Sequence, residues 1–148
     1  MRKLAIAQPL AWADACKIMT RERTNEDILV SIVDDDEVVG ETIGAIVESL
    51  GHKAVVFNSA GHFLQSEVMT KTSCLITDLQ MPGLDGLELQ KELRSRGYRT
   101  PVVVVSGYSE EEVRARALSA GAVGFVRKPI DSEALIECLK TAIKSRAS

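Results

Sequence analysis

From residue 28 onward, short apolar runs alternate with stretches in which apolar residues recur at helical spacing. The apolar runs predict buried strands. Val102 to Val105 are four valines in a row, which suits a strand covered on both faces, as in parallel sheets. The predicted strands are 28–33, 54–57, 74–77, 102–105 and 123–126. Strands that alternate with helices predict an α/β fold with a doubly wound parallel sheet and right-handed crossovers.

Each strand is followed by a predicted helix that opens at a polar or small residue and has one apolar face. The predicted caps are Asp36, Ser59 or Ala60, Asp85, Ser109, and Asp131 or Ser132. The apolar faces are Val39, Ile43, Ile46, Val47 and Leu50; Phe63, Leu64 and Val68; Leu87, Leu89 and Leu93; Val113, Ala117 and Ala120; and Leu135, Ile136, Leu139 and Ile143.

Charged and hydroxyl side chains follow four of the five predicted strands, at the point where each strand ends. Asp34 and Asp35 follow the first strand, Asp78 the third, Ser106 the fourth and Lys128 the fifth. In a doubly wound sheet, functional groups lie beyond the carboxyl ends of the strands, where the strand order reverses. With the strand order 2-1-3-4-5, these four strands would be neighbours about 5 Å apart. We therefore expect the five side chains to converge on one site.

The chemistry of this set points to a divalent cation and a phosphoryl group. Carboxylates held close together repel, which raises at least one pKa unless a cation is present. Only oxygen ligands are on offer, so Mg²⁺ or Mn²⁺ is the predicted ion. Asp78 is suited to act as a nucleophile that forms an aspartyl phosphate. Phosphoryl transfer then requires charge neutralisation, which the ion, Lys128, and the Ser106 hydroxyl or nearby backbone N–H groups would supply.

From about Glu26 to Lys144, the chain resembles the receiver domain of two-component response regulators. The resemblance rests on the acidic pair Asp34 and Asp35, Asp78 with its Met-Pro-Gly-Leu-Asp-Gly turn, Ser106, and the pair Lys128 and Pro129. It implies a flavodoxin-like receiver with strand order 2-1-3-4-5. The runs Leu-Gln-Met-Pro-Gly and Gly-Ala-Val-Gly-Phe-Val-Arg-Lys-Pro resemble most the receivers of nitrogen-fixation-type regulators.

The resemblance also implies a ligand set and a phosphodonor. Asp35, Asp78 and the backbone carbonyl of Gln80 would ligate Mg²⁺, and Asp34 would hold a metal-bound water. The Lys128–Pro129 peptide bond is expected to be cis. The phosphoryl group would come from a histidine kinase or a phosphotransfer protein, so we expect a signalling protein that catalyses only its own phosphorylation and dephosphorylation.

A switch is implied as well. Ser106 would move towards the phosphoryl group, and Phe125 would turn inward into the space this opens. The family often has Tyr at this position, and because Phe125 lacks the hydroxyl, the switch would work through burial alone. The fourth helix, fifth strand and fifth helix would form the surface for a downstream partner or a homodimer. Gln80 and Tyr108 would flank the path of the attacking water.

Other polar residues near the strand ends receive no chemical role. The second strand ends at Asn58, which adds nothing distinctive to the predicted site. His52 and His62 are expected near the opposite edge of the sheet or on a surface helix, so they are assigned no chemistry.

Composition narrows the class of protein. The net charge of −3 offers no basic face for nucleic acid. No apolar run approaches the roughly 20 residues that span a bilayer. Cys16, Cys74 and Cys138 are scattered and lack the spacing of metal ligands, as a reducing compartment tolerates. These features predict a cytoplasmic protein that binds neither nucleic acid nor membrane.

Residues 1–26 differ from the rest and are predicted to be an extension, helical or disordered, before a receiver domain at 27–146. Pro9 would open a helix, and residues 20–26 would form a polar linker. Met19 directly precedes this linker, so one hypothesis is that the first 18 residues are an upstream-start artefact or a loose appendage, and the alternative is a packed extra helix.

Three alternatives for the function remain open at this stage. The chain is either a stand-alone receiver or a fragment of a longer regulator. A second class is a Mg²⁺-dependent phosphohydrolase with its nucleophile among Asp34, Asp35 and Asp36, as in haloacid-dehalogenase-like enzymes, but Asp78 would then have no role. A third is a scaffold that is never phosphorylated, against which the intact acceptor, Lys128 and the acidic pair argue.

Overall fold

The structure is a computed structural model that describes residues 28–107 and 111–147. The predicted N-terminal helix and linker, Tyr108 and the predicted cap Ser109 lie outside these residues. No helix in the described ranges is both long and apolar enough to cross a bilayer.

All five strands run parallel in one sheet with the order β2-β1-β3-β4-β5. The strands are β1 (Leu29–Val33), β2 (Lys53–Phe57), β3 (Cys74–Asp78), β4 (Val102–Ser106) and β5 (Gly124–Arg127). The predicted strand order is confirmed, and each strand begins and ends within one residue of its predicted position.

The helices alternate with the strands along the chain. They are α1 (Glu37–Ser49), α2 (Ala60–Gln65), α3 (Gly86–Ser95), α4 (Glu111–Ser119) and α5 (Ser132–Ala147), with a 3₁₀ helix at Glu67–Lys71. The predicted caps Asp36, Ser59, Asp85 and Asp131 each accept a hydrogen bond from a backbone N–H of the following turn. The second predicted helix is wrong in its length, because Ser66 ends α2 and its side chain accepts a bond from the N–H of Val68. Val68 therefore belongs to the separate 3₁₀ helix.

Two apolar layers cover the sheet, one on each face. One layer packs α1 and α5 on the sheet and includes Ile43, Val103 and Leu139. The other packs α2, α3 and α4 on the opposite face and includes Phe63 and Val104. Successive valines of β4 point to opposite layers, as the four-valine run predicts. Because every strand is anchored from both sides, the carboxyl ends of the strands form one fixed edge.

Candidate functional site

The side chains predicted to converge lie at the carboxyl edge of the sheet. Asp78 is the last residue of β3 and pairs in register with Val105 of β4. Asp34 directly follows β1, and its N–H donates to the carbonyl of Phe57. Lys128 directly follows β5, and its N–H donates to the carbonyl of Ser106 at 2.8 Å. The backbone of the sheet therefore sets where each of these side chains starts.

Lys128 bridges two buried carboxylates. Its Nζ lies 3.4 Å from Asp34 Oδ2 and 3.4 Å from Asp78 Oδ1. Asp34 is 1% exposed and Asp78 is 6% exposed, so water screens neither charge well. The Lys128–Pro129 peptide bond is cis, as the resemblance implies.

A third carboxylate completes an acidic cluster. Oxygens of Asp34, Asp35 and Asp78 all lie within 4.8 Å of one another, and Asp35 is exposed while the other two are buried. Asp34 Oδ1 accepts a bond from the N–H of Asp36, whereas Asp34 Oδ2 is buried without a hydrogen bond in the described part of the chain. Lys128 supplies charge to Oδ2 but no well-directed bond. A donor set of carboxylate oxygens with one solvent-facing member fits a magnesium-type cation.

The pKa values report the crowding of negative charge. Burial and the neighbouring Asp34 raise the pKa of Asp78 to about 6, against the opposing effect of Lys128. Burial also raises the pKa of Asp34, although the N–H of Asp36 and the Lys128 ammonium oppose the rise. For Lys128, burial alone would lower the pKa, but Asp78 and Asp34 outweigh it and raise the pKa above its ordinary value. The cluster is therefore short of positive charge, even with Lys128 in place.

The segment after Asp78 returns tightly to the start of α3. Leu79 donates to the carbonyl of Val105 at 2.8 Å, and Gly86 donates to the carbonyl of Leu79 at 2.9 Å. A β-carbon on Gly86 would lie 2.5 Å from the carbonyl oxygen of Asp78. Between them, Gln80 is exposed. Gly86 is thus needed for its small size, and it sets how closely α3 approaches the backbone of Asp78.

Gly86→Ala is expected to lower the free energy of unfolding by about 1–3 kcal/mol, because the new methyl group overlaps backbone atoms that cannot rotate away. Gly61→Ala is the matched control. Gly61 also lies in a helix, but a β-carbon there would meet only Ser59 Oγ at 3.9 Å, so we expect a neutral or stabilising change of up to about 1 kcal/mol. Urea unfolding of both variants measures the difference in their free energies of unfolding. Equal values would show that the backbone around Asp78 shifts easily to accommodate the methyl group.

Ser106 and Phe125 lie on β4 and β5, which follow β3 in the sheet on the side away from β1. Ser106 ends β4 and is 1% exposed. Phe125 is half-buried, packs against the layer of α2, α3 and α4, and lines a cleft of about 740 Å³ together with Gly107 and Lys128. The ring therefore has open space on one side and the core on the other.

Sequence reasoning gave no role to a pair of side chains that lies next to the cluster. His62 Nδ1 and Asn58 Oδ1 lie 2.8 Å apart and form one wall of a second cleft of about 650 Å³. Asp34 and Asp35 also line this cleft, with Glu37 and Glu41 from α1. The spacing of four residues between Asn58 and His62, across the start of α2, is the signal that would have indicated the pair.

Comparison with known proteins gives a consistent result. The family model described as the response regulator receiver domain matches residues 30–140. The transcriptional regulatory protein FixJ of Azorhizobium caulinodans is 36% identical over 118 residues, which are 80% of this chain and 56% of FixJ. The response regulator protein TodT of Pseudomonas putida is 33% identical over 129 residues, 87% of this chain and 57% of TodT. The chain thus spans just over half the length of these relatives.

The same family appears among solved structures. The crystal structure of FixJ-N has a TM-score of 0.72 and 30% identity, and the match covers 80% of this chain and 95% of that one. Together with the sequence match to FixJ, it confirms the predicted likeness to receivers of nitrogen-fixation-type regulators.

Proposed function

Because the chain belongs to the response regulator receiver domain family, we propose that it is a signalling switch that accepts a phosphoryl group on Asp78. The donor would be a histidine kinase or a phosphotransfer protein. The observation that carries this proposal is the Lys128 ammonium, 3.4 Å from each of two buried carboxylates, beside an exposed third carboxylate.

In the proposed reaction, an Asp78 carboxylate oxygen attacks the phosphorus of a phosphohistidine. The P–O bond forms as the P–N bond breaks, and the imidazole of the donor leaves with the bonding electron pair. The attack requires the ionised carboxylate, so the pKa of about 6 for Asp78 makes the charge of Lys128 important to the nucleophile. Lys128 also lies where its ammonium can neutralise an oxygen of the transferred group.

Asp35, Asp78 and the backbone carbonyl of Gln80 are the proposed Mg²⁺ ligands, with Asp34 acting through a bound water. When bound, the ion supplies the positive charge that Lys128 alone does not provide to three carboxylates. The buried Asp34 Oδ2, which lacks a hydrogen bond within the described ranges, supports this assignment.

The direct test is incubation with acetyl phosphate and Mg²⁺, followed by intact mass measurement. We expect the mass of one phosphoryl group to be added, and we expect EDTA to prevent the addition. A protein that gains no mass under these conditions would contradict the proposal. Steady turnover of a phosphomonoester, lost in Asp34→Asn and kept in Asp78→Asn, would instead favour the alternative of a phosphohydrolase.

We further propose that phosphorylation is read out on the face of α4, β5 and α5. A phosphoryl group adds nearly two negative charges, and the Ser106 hydroxyl would move towards them. Phe125 would then turn from its half-exposed position into the core, which changes the surface offered to a downstream protein or to a second copy of the chain. The two positions form a two-state element whose balance the phosphoryl group biases.

Phe125→Ala is expected to leave phosphorylation intact and to weaken the response of this face, because the variant has no ring to bury. Beryllofluoride with Mg²⁺ serves as the phosphoryl mimic, and hydrogen exchange of β5 and α5 measures the response. Phe57→Ala is the control, since it removes a half-buried ring from the opposite edge strand, where it contacts Phe63. An unaltered response in Phe125→Ala would rule out the ring as the relay.

A further inference from the structure

A wholly buried amide lies on α3 among apolar side chains. Gln90 has no exposed surface, and its helix neighbours Leu89 and Leu93 belong to the core. Its Nε2 donates to the carbonyl of Ala120 at 3.2 Å, while its Oε1 is buried without a partner in the described part of the chain. A buried amide that leaves its oxygen unbonded is unfavourable. Packing alone therefore does not explain why an amide side chain is buried at position 90. The hydrogen bond to Ala120 is the contact that an apolar side chain could not make.

That bond holds the carboxyl end of α4. The last carbonyls of a helix have no partner within the helix, and Ala120 directly follows α4. The N–H groups of Ala120, Gly121 and Ala122 turn back to carbonyls of α4 at 3.0–3.1 Å, but none of these N–H groups reaches the carbonyl of Ala120. Gln90 provides its donor from across the α3–α4 interface.

The bond matters because α4 itself has little apolar surface against the core. Ala117 is its only buried residue, whereas α1 buries four residues. Val113 and Leu118 of α4 are half-buried. A helix anchored by so few side chains depends more than the others on a single directed bond at one end.

The two ends of α4 have different surroundings. The carboxyl end is tied to α3 by Gln90, and Gly121 adopts the left-handed conformation there with φ of 105°. The amino end follows the β4 edge, where Gly107 comes directly after the proposed switch residue Ser106. The carboxyl end of α4 thus has a side-chain bond to α3, whereas its amino end is the end that follows Ser106 along the chain.

We propose that Gln90 is a latch that fixes the carboxyl end of α4 to α3, so that α4 pivots about this end when the phosphoacceptor site switches. The pivot rests on the proposed function, whereas the latch itself is a property of the unphosphorylated protein. Gln90 acts as a positioning residue and has no part in the phosphoryl chemistry.

The test compares Gln90→Met with the wild type by amide hydrogen exchange, followed residue by residue in NMR spectra. Met keeps the volume of the side chain and removes both the donor and the unbonded oxygen. We expect the amides of Ala120, Gly121 and Ala122 to exchange roughly 3- to 10-fold faster, as the loss of one hydrogen bond implies. Core amides of β3 and β4 should keep their wild-type rates. Leu93→Met, a change at a buried position of the same helix, is the control and should leave all these rates unaltered.

Beryllofluoride and Mg²⁺ then test the pivot. Among the amides of α4 and of residues 120–122, we expect the change in exchange in the wild type to be confined to the amino half of α4, and in Gln90→Met we expect it to extend to Ala122. Wild-type rates at Ala120 to Ala122 in Gln90→Met overturn the latch, as does a uniform rise that includes the core. If the wild type does not respond to beryllofluoride anywhere, the proposed function and the pivot fail, and faster exchange confined to residues 120–122 in Gln90→Met would still support the latch. Gln90→Leu repeats the comparison should the Met variant fold poorly.

Discussion

Asp78→Asn is expected to gain no phosphoryl group from acetyl phosphate, whereas the wild type gains one. The amide of the new side chain is a poor nucleophile, and its neutral charge also removes one of the three carboxylates that would hold the cation. The substitution preserves the shape of the side chain, so β3 and the loop to α3 should remain in place. Intact mass spectrometry after incubation with Mg²⁺ measures the result directly.

Asp85→Asn is the matched control for this loss. Asp85 lies on the same segment between β3 and α3, but its side chain caps α3 by accepting from the N–H of Glu88, and Glu88 in turn accepts from the N–H of Asp85. Asn is also a good cap, so we expect at most about 1 kcal/mol of lost stability and full phosphorylation. A phosphoryl group on Asp78→Asn, or its absence from Asp85→Asn, would place the acceptor elsewhere.

The strand order and the convergence at one edge were predictable because they follow from strong, repeated patterns. A run of β-branched residues such as Val102 to Val105 favours a strand buried on both faces, and parallel strands bring their carboxyl ends to the same edge. Asp34, Asp78 and Lys128 each directly follow or end such a strand, and the structure brings them within ion-pair distance. Their roles in phosphoryl transfer and metal binding remain predictions.

Most of the features that the sequence did not predict depend on contacts between distant segments. The remaining one depends on competition for a single backbone N–H group. Gln90 looks like a surface residue of α3 until the end of α4, 30 residues further on, is placed against it. Asn58 and His62 become notable only when the fold places them in the same cleft as Asp34 and Asp35. The end of α2 at Ser66 is a local matter, because the serine hydroxyl competes for a backbone N–H and starts a new turn. Periodicity detects none of these, since it records which face is apolar and not which polar groups meet.

Lys128→Met is expected to destabilise the metal-free protein by about 2–3 kcal/mol at pH 8, because it leaves two buried carboxylates without their shared cation. The effect should depend on pH with a definite sign. Burial and Asp34 raise the pKa of Asp78 from 3.8 to about 6 in the folded protein. In the unfolded chain the ordinary value applies, so between these values the folded state retains a proton that the unfolded state has lost. Stability therefore falls as pH rises through this window.

Loss of the Lys128 ammonium removes a group that lowers the pKa of both Asp34 and Asp78, so this fall becomes steeper and continues to higher pH in Lys128→Met. At pH 4, the Asp78 carboxyl group is protonated in the folded wild type and in Lys128→Met, so the part of the difference that comes from Asp78 should nearly vanish. Asp78→Asn should have the opposite sign and stabilise the metal-free protein at pH 8 by up to about 3 kcal/mol, since it removes a buried charge.

Mg²⁺ should reduce the difference in the free energy of unfolding between Lys128→Met and the wild type by supplying the missing positive charge. Urea unfolding at pH 4 and pH 8 measures all three proteins, and an equal loss for Lys128→Met at both values would mean that Lys128 acts through the packing of its methylene groups and not through its charge.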